Sequence, residues 1–447
     1  MTRLKQAQPL IWVAIGIIAL FIFVWGARQQ GTLVNIDMDS TDQSAYMDYA
    51  KNMAETNWRF VGGRNRMPAY PALMSLFYTD GMTNDAFFAL GKNVGIAIGL
   101  VCLGAIFFLF RQAAHSFDSL IATLVAAFTV FAYKAPYFQT EILFYTISLA
   151  LFYLLLNFVK EPTFKTAVLA GAIGGLGHLT KASVMPAIAL AVSLVVVQVF
   201  FESWQEFRKG SDRQPFKTIW MKVVHIVVLL GCFLLVVFPY IRTSKERFGR
   251  YFYNVNSTFY IWYDSWAEAT QGTKAHGDRV GWPDMPPEEI PSLQKYLREH
   301  TTEQIIGRFT NGYHTLYTKV TQSYGYAEFL LVYLLVSVIL IIQNRKLLAA
   351  IRPWVLLFIL GYFLGHSLLY AWYVPIASGN RFILSLFLPA LFLFVSLLSA
   401  AQAQDAKFNI FGRAVPASAV SPFMLLLLMS YLILIFPNRI STMYGGN

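Results

Sequence analysis

The stretch IWMKVVHIVVLLGCFLLVVFPY, residues 219–240, contains one charged side chain, Lys222, close to its start. An apolar run of about 20 residues is long enough to cross the hydrocarbon core of a bilayer as a helix. Similar runs recur at about residues 9–26, 86–110, 118–134, 139–159, 166–180, 183–201, 327–343, 353–375, 382–401 and 421–437. The sequence therefore predicts an all-α polytopic membrane protein, one transmembrane domain over residues 1–447 with about eleven spans.

Composition agrees with this prediction. Of the 447 residues, 56% are hydrophobic and only 13% are charged, whereas soluble domains carry roughly 25% charged residues. The formal net charge of +11 arises from Lys and Arg residues in the short links between apolar runs. Basic residues cluster in this way in the cytoplasmic loops of membrane proteins. The lipid bilayer is therefore the expected partner, and nucleic acid is not.

The distribution of basic residues predicts an orientation. With the N-terminus in the cytoplasm, the links on that side carry Arg111, Lys160, Lys165, Arg208, Lys209, Arg213, Lys217, Arg345, Lys346, Arg352, Lys407 and Arg413. The short links on the other side carry one basic residue each: Lys134, Lys181 and Arg381. The positive-inside rule then places two large loops, residues 27–85 and 241–326, outside. Both loops are expected to carry amphipathic surface helices.

Two segments allow another interpretation. Residues 9–26 resemble a signal peptide, but the run is longer than a typical signal core and no small-residue cleavage site follows it. We therefore interpret it as the first span. Residues 166–201 contain Gly-rich sequence and Pro186, so one long bent helix is the alternative to two spans there.

The first outer loop is acidic. The stretch NIDMDSTDQSAYMDYAKNM, residues 35–53, holds Asp37, Asp39, Asp42 and Asp48. Ser40 and Gln43 have the spacing of a capping box, and the apolar residues after them recur at helical spacing. The sequence predicts a helix on the membrane surface with Asp42 in its first turn. Asp42 either complements the helix dipole or serves as a general base.

A basic turn follows in the same loop. The stretch GGRNRMPAYPAL, residues 62–73, combines two glycines, Arg64, Arg66 and two prolines. Such a segment predicts a rigid turn back towards the membrane. Its arginines suit an anionic ligand, although anchoring at lipid headgroups explains them equally well.

Five short motifs carry a family resemblance when taken in order. They are Asp42-Gln43-Ser44-Ala45-Tyr46, the Arg66-x-Pro-x-Tyr-Pro71 turn, Gln139-Thr-Glu141, the Gly177-His-Leu-Thr-Lys181 stretch, and Arg381-Phe followed by Pro389. Over about residues 1–400 the chain resembles GT-C glycosyltransferases. The most similar branch contains protein O-mannosyltransferases, lipid A aminoarabinose transferases and arabinofuranosyltransferases.

The resemblance implies a GT-C fold and a sugar transfer from a polyprenyl-phosphate sugar to a glycan, lipid or protein acceptor. It implies an active site on the periplasmic face of a bacterial inner membrane. It assigns the general base to Asp42, with Asp39 in reserve. Cations stabilise a leaving phosphate. The expected phosphate ligands are Arg381, Lys181, Lys134, Arg66 and Arg64, and the expected substrate contacts are Tyr46, Tyr70, Glu141 and Trp262.

The turn also departs from the family pattern. Aminoarabinose transferases carry Glu-Lys-Pro-Pro there, whereas this chain has Asn65-Arg66-Met67-Pro68. A second acidic residue is therefore missing from the turn. We expect no required cofactor and predict no metal ligands, while a divalent metal stays an open question.

The second outer loop is rich in Tyr, Trp and Phe between residues 251 and 266. Aromatic faces suit sugar rings, but an interfacial aromatic belt or a packed loop core is an equal explanation for Trp262 and its neighbours. Further along, residues 302–320 predict an amphipathic helix with Ile305, Ile306 and Phe309 on its apolar face.

Two other classes of membrane protein share part of this pattern. An O-antigen polymerase or ligase is also a polytopic enzyme with a large outer loop, but the acidic first loop with its Arg-x-Pro turn favours the GT-C interpretation. A transporter or flippase would carry charged residues in the middle of its spans. The spans here are almost free of charge away from their ends.

Overall fold

The chain is described by a computed structural model that covers residues 2–59, 61, 63–209, 215–377, 379–410 and 412–445. Gly62 of the basic turn and Arg213 of a predicted cytoplasmic link lie outside these residues. The helices, in chain order, are α1 (Thr2–Gln29), α2 (Gln43–Glu55), α3 (Ala69–Ser75), α4 (Asn84–Phe110), α5 (Ser116–Ala126), α6 (Ala132–Lys134), α7 (Glu141–Lys160), α8 (Phe164–Thr180), α9 (Met185–Lys209), α10 (Pro215–Phe248), α11 (Val255–Thr258), α12 (Trp266–Gln271), α13 (Leu293–Glu299), α14 (Thr302–Thr321), α15 (Tyr326–Gln343), α16 (Lys346–Ala349), α17 (Pro353–Tyr373), α18 (Phe387–Ala403), α19 (Val420–Leu434) and α20 (Phe436–Thr442).

Shorter turns extend several of these helices. Wide π-helical turns continue α1 and join α5 to α6, at Gln30–Val34 and Ala127–Phe131. Tighter 3₁₀ turns lie at Ala182–Val184, Tyr260–Trp262, Ile383–Leu386 and Ala417–Ala419.

The described residues contain 10 helical segments that are long and apolar enough to cross a membrane. They correspond to ten of the predicted runs, which confirms a polytopic, nearly all-helical membrane protein. The eleventh run forms α8, whose 17 residues fall just below the length of a typical span. The chain turns at Lys181, where the backbone is extended (φ −160°, ψ 126°). Residues 166–201 are therefore two helices and not one bent helix.

Glycines let helices approach closely near the centre of the protein. A Cβ atom on Gly95 of α4 would lie 2.2 Å from the Ala135 carbonyl oxygen, and one on Gly171 of α8 would lie 2.3 Å from the Leu229 carbonyl oxygen in α10. Small residues at helix contacts are how membrane proteins gain packing energy where lipid removes the hydrophobic driving force. These contacts bring α4 against the bend at residues 135–138 and α8 against α10.

Helix α2 differs from the prediction in its start and its surroundings. It begins at Gln43 with no side-chain cap, and the Ser40 hydroxyl bonds instead to the Asp37 carbonyl, so the predicted capping box is wrong. The apolar stripe of α2 packs on protein and not on lipid, since Met47 and Ala50 are buried against Tyr70 and neighbouring rings. Helix α2 starts later than the capping box predicts because residues distant in the sequence bind the Gln43 side chain.

Helix α14 is amphipathic as predicted, but its buried face differs. Arg308, Gly312 and Leu316 are buried, whereas Ile306 is exposed. The Arg308 guanidinium bonds to Asp264 and to the carbonyl oxygens of Ile261 and Tyr263. These partners stabilise the buried guanidinium group, which the apolar pattern alone would place on the exposed face of the helix.

A small β-hairpin lies within the otherwise helical described structure. Strands β1 (Lys407–Ile410) and β2 (Arg413–Pro416) pair antiparallel in the link between α18 and α19. Phe408 faces Val415 across the pair and is buried, while its neighbours Lys407 and Asn409 are exposed. This alternation of apolar and polar residues is a strand pattern too short to notice beside the long apolar runs.

The last described residues return to the first loop. The Tyr444 hydroxyl donates to the Ser40 carbonyl oxygen at 3.0 Å, and the Gly445 amide donates to the Tyr137 hydroxyl at 3.1 Å. The Gln30 side chain donates to the Met443 carbonyl oxygen at 3.0 Å. Residues 443–445, which we call the tail, therefore connect the end of α20 to the segment that leads into α2.

Candidate active site

Asp42 lies immediately before α2, with both carboxylate oxygens bound by arginine. Its Oδ1 accepts from Arg66 at 2.8 Å, and its Oδ2 accepts from Arg381 at 2.9 Å. The three residues come from the first loop, the basic turn and the segment before α18. About two-fifths of the Asp42 side chain is exposed (39%), so the carboxylate can be reached from outside the protein. This ion triad is called the Asp42 cluster below.

Two amide side chains fix the position of Asp42. The Gln43 Oε1 atom accepts from the backbone N–H of Phe138 at 2.8 Å. Gln43 and Asn35 bond to each other through both amide groups, and Asn35 also donates to the Pro136 carbonyl oxygen at 2.8 Å. All these groups are buried. Because buried hydrogen bonds are costly to lose, they hold the loop against residues 136–138.

The arginines lower the pKa of Asp42. Burial alone would raise the pKa of this carboxyl group, but the positive charges and hydrogen bonds of Arg381 and Arg66 outweigh burial and hold it below its ordinary value of 3.8. The carboxylate is therefore ionised at neutral pH. The dipole explanation for Asp42 is weaker, since its side chain makes no capping bond to α2 and meets guanidinium groups instead.

A second group of charges lies next to the Asp42 cluster. The Lys181 Nζ atom is 3.6 Å from Glu141 Oε1 and lies over the rings of Phe144 and Phe382. Lys134 is 2% exposed, and its Nζ finds no hydrogen-bond partner within the described residues. The charges of Glu141 and Arg381 act on both lysines. We call Lys134, Glu141 and Lys181 the lysine cluster.

The predicted substrate contacts fall into two places. Tyr46 and Tyr70 stack edge-on at 5.8 Å, and the Arg66 guanidinium lies 5.6 Å from the Tyr46 ring centre. These rings therefore border the Asp42 cluster. Trp262 of the second loop instead packs against Tyr296 of the same loop and Trp372 of α17, and its role in substrate binding stays a prediction.

Two residues of the first loop sit differently from the others. The Arg64 guanidinium pairs with Asp278, which is fully buried, and bonds to the Tyr260 hydroxyl. Its charge is thus already balanced, and it ties the basic turn to the second loop. Asp39 is exposed, and its backbone N–H bonds to Asp37. Among the described residues, these hydrogen bonds and ion pairs join neither Asp39 nor Arg64 to the Asp42 cluster.

Sequence reasoning missed Gln139 and Asp278. Gln139 is buried, with neither polar atom of its amide bonded within the described residues. It stands in the Gln139-Thr-Glu141 motif, so its place in that motif was the available signal. Asp278 lies in an irregular loop with no motif around it, and no signal in the sequence marks it.

A family model now adds to this geometry. Residues 84–238 match the model of dolichyl-phosphate-mannose-protein mannosyltransferases. That family is part of the GT-C superfamily, so this segment of the chain is similar in sequence to GT-C proteins. Members of this superfamily are glycosyltransferases that use lipid-linked sugar donors. No curated protein sequence matches the chain.

Solved structures of two kinds are similar to the chain. The oligosaccharyltransferase AglB from Archaeoglobus fulgidus, in complex with an inhibitory peptide and a dolichol-phosphate, is 12% identical, with a TM-score of 0.47 over 95% of this chain. This chain spans 56% of the length of that enzyme. ArnT from Cupriavidus metallidurans bound to undecaprenyl phosphate is 14% identical, with a TM-score of 0.32 over 88% of this chain and 79% of that one.

Proposed function

We propose that this protein is a GT-C glycosyltransferase that transfers a monosaccharide from a polyprenyl-phosphate sugar to a glycan, lipid or protein acceptor of the cell envelope. We place the reaction on the periplasmic face of a bacterial inner membrane, with the N-terminus in the cytoplasm. The observation that supports this proposal most strongly is the ionised Asp42 carboxylate, which is held by Arg66 and Arg381 beside the buried Lys134 and the partly buried Lys181. This arrangement combines a base with the cations that a leaving phosphate requires.

In the proposed reaction, the acceptor hydroxyl attacks the anomeric carbon of the donor sugar. The bond from that carbon to the phosphate oxygen breaks as the bond to the acceptor oxygen forms. The electron pair leaves on the phosphate, and the acceptor proton passes to Asp42. The leaving phosphate gains negative charge, so cations stabilise the transition state more than the bound donor.

The two arginines have competing partners in this proposal. A donor phosphate accepts bidentate hydrogen bonds from a guanidinium group, as a carboxylate does. Arg381 would therefore turn from Asp42 to the phosphate when the donor binds. This exchange would free one carboxylate oxygen for the acceptor hydroxyl and weaken the effect that lowers the pKa of Asp42.

We assign the phosphate charge to these side chains and propose that no metal is required. Asp42 already bonds to two guanidinium groups, and Glu141 lies beside Lys181. Within the described residues, no group of three His, Cys, Asp or Glu side chains could hold a metal ion.

The test uses purified full-length protein with radiolabelled polyprenyl-phosphate sugars and envelope extracts as acceptors. We expect one donor to be consumed, and EDTA to leave the rate unchanged. Asp42→Asn should reduce transfer by roughly 10²–10⁴-fold, the range for a lost general base, with normal folding. Asp39→Asn, at an exposed site three residues away, is the matched control. Normal turnover by Asp42→Asn would contradict the assignment.

A further inference from the structure

Gln139 lies between the two charged groups of the candidate site. On one side of it, the Phe138 amide bonds to Gln43, the neighbour of Asp42. On the other, the Thr140 hydroxyl reaches the Thr180 carbonyl at 3.5 Å, and the next residue, Glu141, meets Lys181. The segment 138–141 thus runs from the proposed base to the cations proposed for the phosphate. In the proposed reaction the anomeric carbon lies between the base and the phosphate, so the donor sugar would lie along this segment.

The side chain of Gln139 is suited to a hydroxylated ring. It is 3% exposed, and both its amide oxygen and its amide nitrogen lack partners among the described residues. A buried amide without hydrogen bonds is destabilising, so such groups occur where a ligand or water satisfies them. One amide offers a donor and an acceptor, and a sugar hydroxyl is also both.

The charges around this position limit the sugar further. Four cations and two carboxylates make up the Asp42 cluster and the lysine cluster, so positive charge is in excess even when Lys134 is uncharged. A phosphate diester carries one negative charge, and the monoester that leaves carries about −1.5 to −2 at neutral pH. The surplus positive charge is therefore matched by the leaving phosphate alone.

A charged sugar would disturb this balance. An ammonium group on the ring would add positive charge to a partly buried site that already has an excess of it, and this is unfavourable because the repulsion is screened less there than in water. A ring carboxylate would take up a cation that the leaving phosphate needs. Uncharged hydroxyl groups leave the charge balance of the site unchanged, and they can form hydrogen bonds with the Gln139 amide.

We infer that the donor sugar is an uncharged monosaccharide and that Gln139 binds its hydroxyl groups. This inference rests on the proposed function and adds the class of the donor sugar and the residue that binds it. It predicts that Gln139 contributes to binding of the sugar and not of the lipid phosphate.

The experiment measures binding of four probes to full-length protein in detergent. They are undecaprenyl phosphate, undecaprenyl-phosphate mannose, undecaprenyl-phosphate 4-amino-4-deoxyarabinose and undecaprenyl-phosphate glucuronic acid. We expect the mannose conjugate to bind at least about tenfold more tightly than either charged conjugate. Gln139→Leu should weaken the mannose conjugate about tenfold and change undecaprenyl phosphate binding less than twofold.

Gln139→Leu removes two unsatisfied polar atoms without opening a cavity, so its unfolding temperature should equal or exceed that of the parent. Gln112→Ala, at an exposed helix end, is the control for glutamine loss. Equal or tighter binding of a charged conjugate would overturn the inference. So would equal weakening of undecaprenyl phosphate by Gln139→Leu. Failure of undecaprenyl phosphate itself to bind the parent would overturn the proposed function as well.

Discussion

At the scale of single residues, the Asp42 carboxylate offers one oxygen to each of two guanidinium groups. Removing one arginine therefore changes the charge around Asp42 while the other arginine still holds its position. A variant that lacks one arginine can therefore test how the surrounding charge sets the pKa of Asp42 while the carboxylate stays in place. The measurable quantity is the acid limb of the rate profile.

We predict that Arg66→Gln moves this limb to higher pH. A carboxylate base is active above its pKa and is lost as pH falls through it. In the parent, burial raises the pKa of Asp42 but Arg381 and Arg66 outweigh it and keep the pKa below 3.8, so Asp42 should cause little loss of kcat/KM over the measured pH range. Without Arg66 the effect of burial is opposed by one cation fewer, and the pKa rises. Rates measured from pH 7 to pH 4.5 test this, with exposed Arg279→Gln as control. Superimposable profiles would argue against Asp42 as the base.

A second prediction concerns the cations. Arg381→Ala and Lys181→Ala should each weaken binding of a polyprenyl-phosphate sugar by about tenfold or more, about 1.4 kcal/mol. Arg381→Lys should also be impaired because lysine lacks the planar fork that binds phosphate through two hydrogen bonds. Donor affinity in detergent is the measurement, and Arg279→Ala is the control. If both alanine variants bind like the parent, these residues anchor lipid headgroups, and the phosphate site is to be sought around Arg66.

At the scale of secondary-structure elements, the contact between α14 and α17 gives a third prediction. A Cβ atom on Gly312 would lie 2.1 Å from the Ala371 carbonyl oxygen, whereas Gly307 in the same helix has nothing within 4 Å of its Cβ position. Gly312→Ala should therefore destabilise the protein by about 1–3 kcal/mol through overpacking. Gly307→Ala should stabilise it by up to about 1 kcal/mol, because alanine is the better helix former. Thermal unfolding in detergent measures both, and equal midpoints for the two variants would contradict this packing.

The elements also show what the sequence could and could not predict. The long helices follow from apolar runs, which are local, and all were predicted. The start of α2 was not, because its first residue, Gln43, finds partners 95 positions along the chain at Phe138. The buried face of α14 was missed for the same reason. Arg308 is buried only because a loop 44 residues earlier supplies Asp264 as its partner.

The candidate site could also be predicted only in part from the sequence. Asp42, Arg66, Glu141, Lys181 and Arg381 were named from short motifs, and the structure brings them together. The distances between them could not be predicted, since they depend on how the first loop folds onto residues 136–138. Spacing along the chain could not show that Arg64 is paired with Asp278, which lies 214 residues away.

At the scale of the whole molecule, the proposed orientation gives a fourth prediction. Asp80→Cys and Arg279→Cys, one in each large loop, should react with a membrane-impermeant reagent added to intact cells, whereas Lys346→Cys should react only after permeabilisation. All three positions are exposed, so accessibility within the protein does not decide the result. Cys102 and Cys232 are replaced by alanine in the background. The reverse labelling pattern would place the site in the cytoplasm and exclude a periplasmic reaction.

The tail has a consequence for the time course of biosynthesis. The hydrogen bond from Tyr444 to Ser40 joins residues 404 positions apart. At roughly 5–20 residues per second, a ribosome needs about 20–80 s to make the intervening chain. During that interval the acidic loop is already made, but its contact with the tail does not yet exist. A nascent chain therefore completes the support of this loop only after α20 and the tail have been made, and a chain that stops before the tail never does.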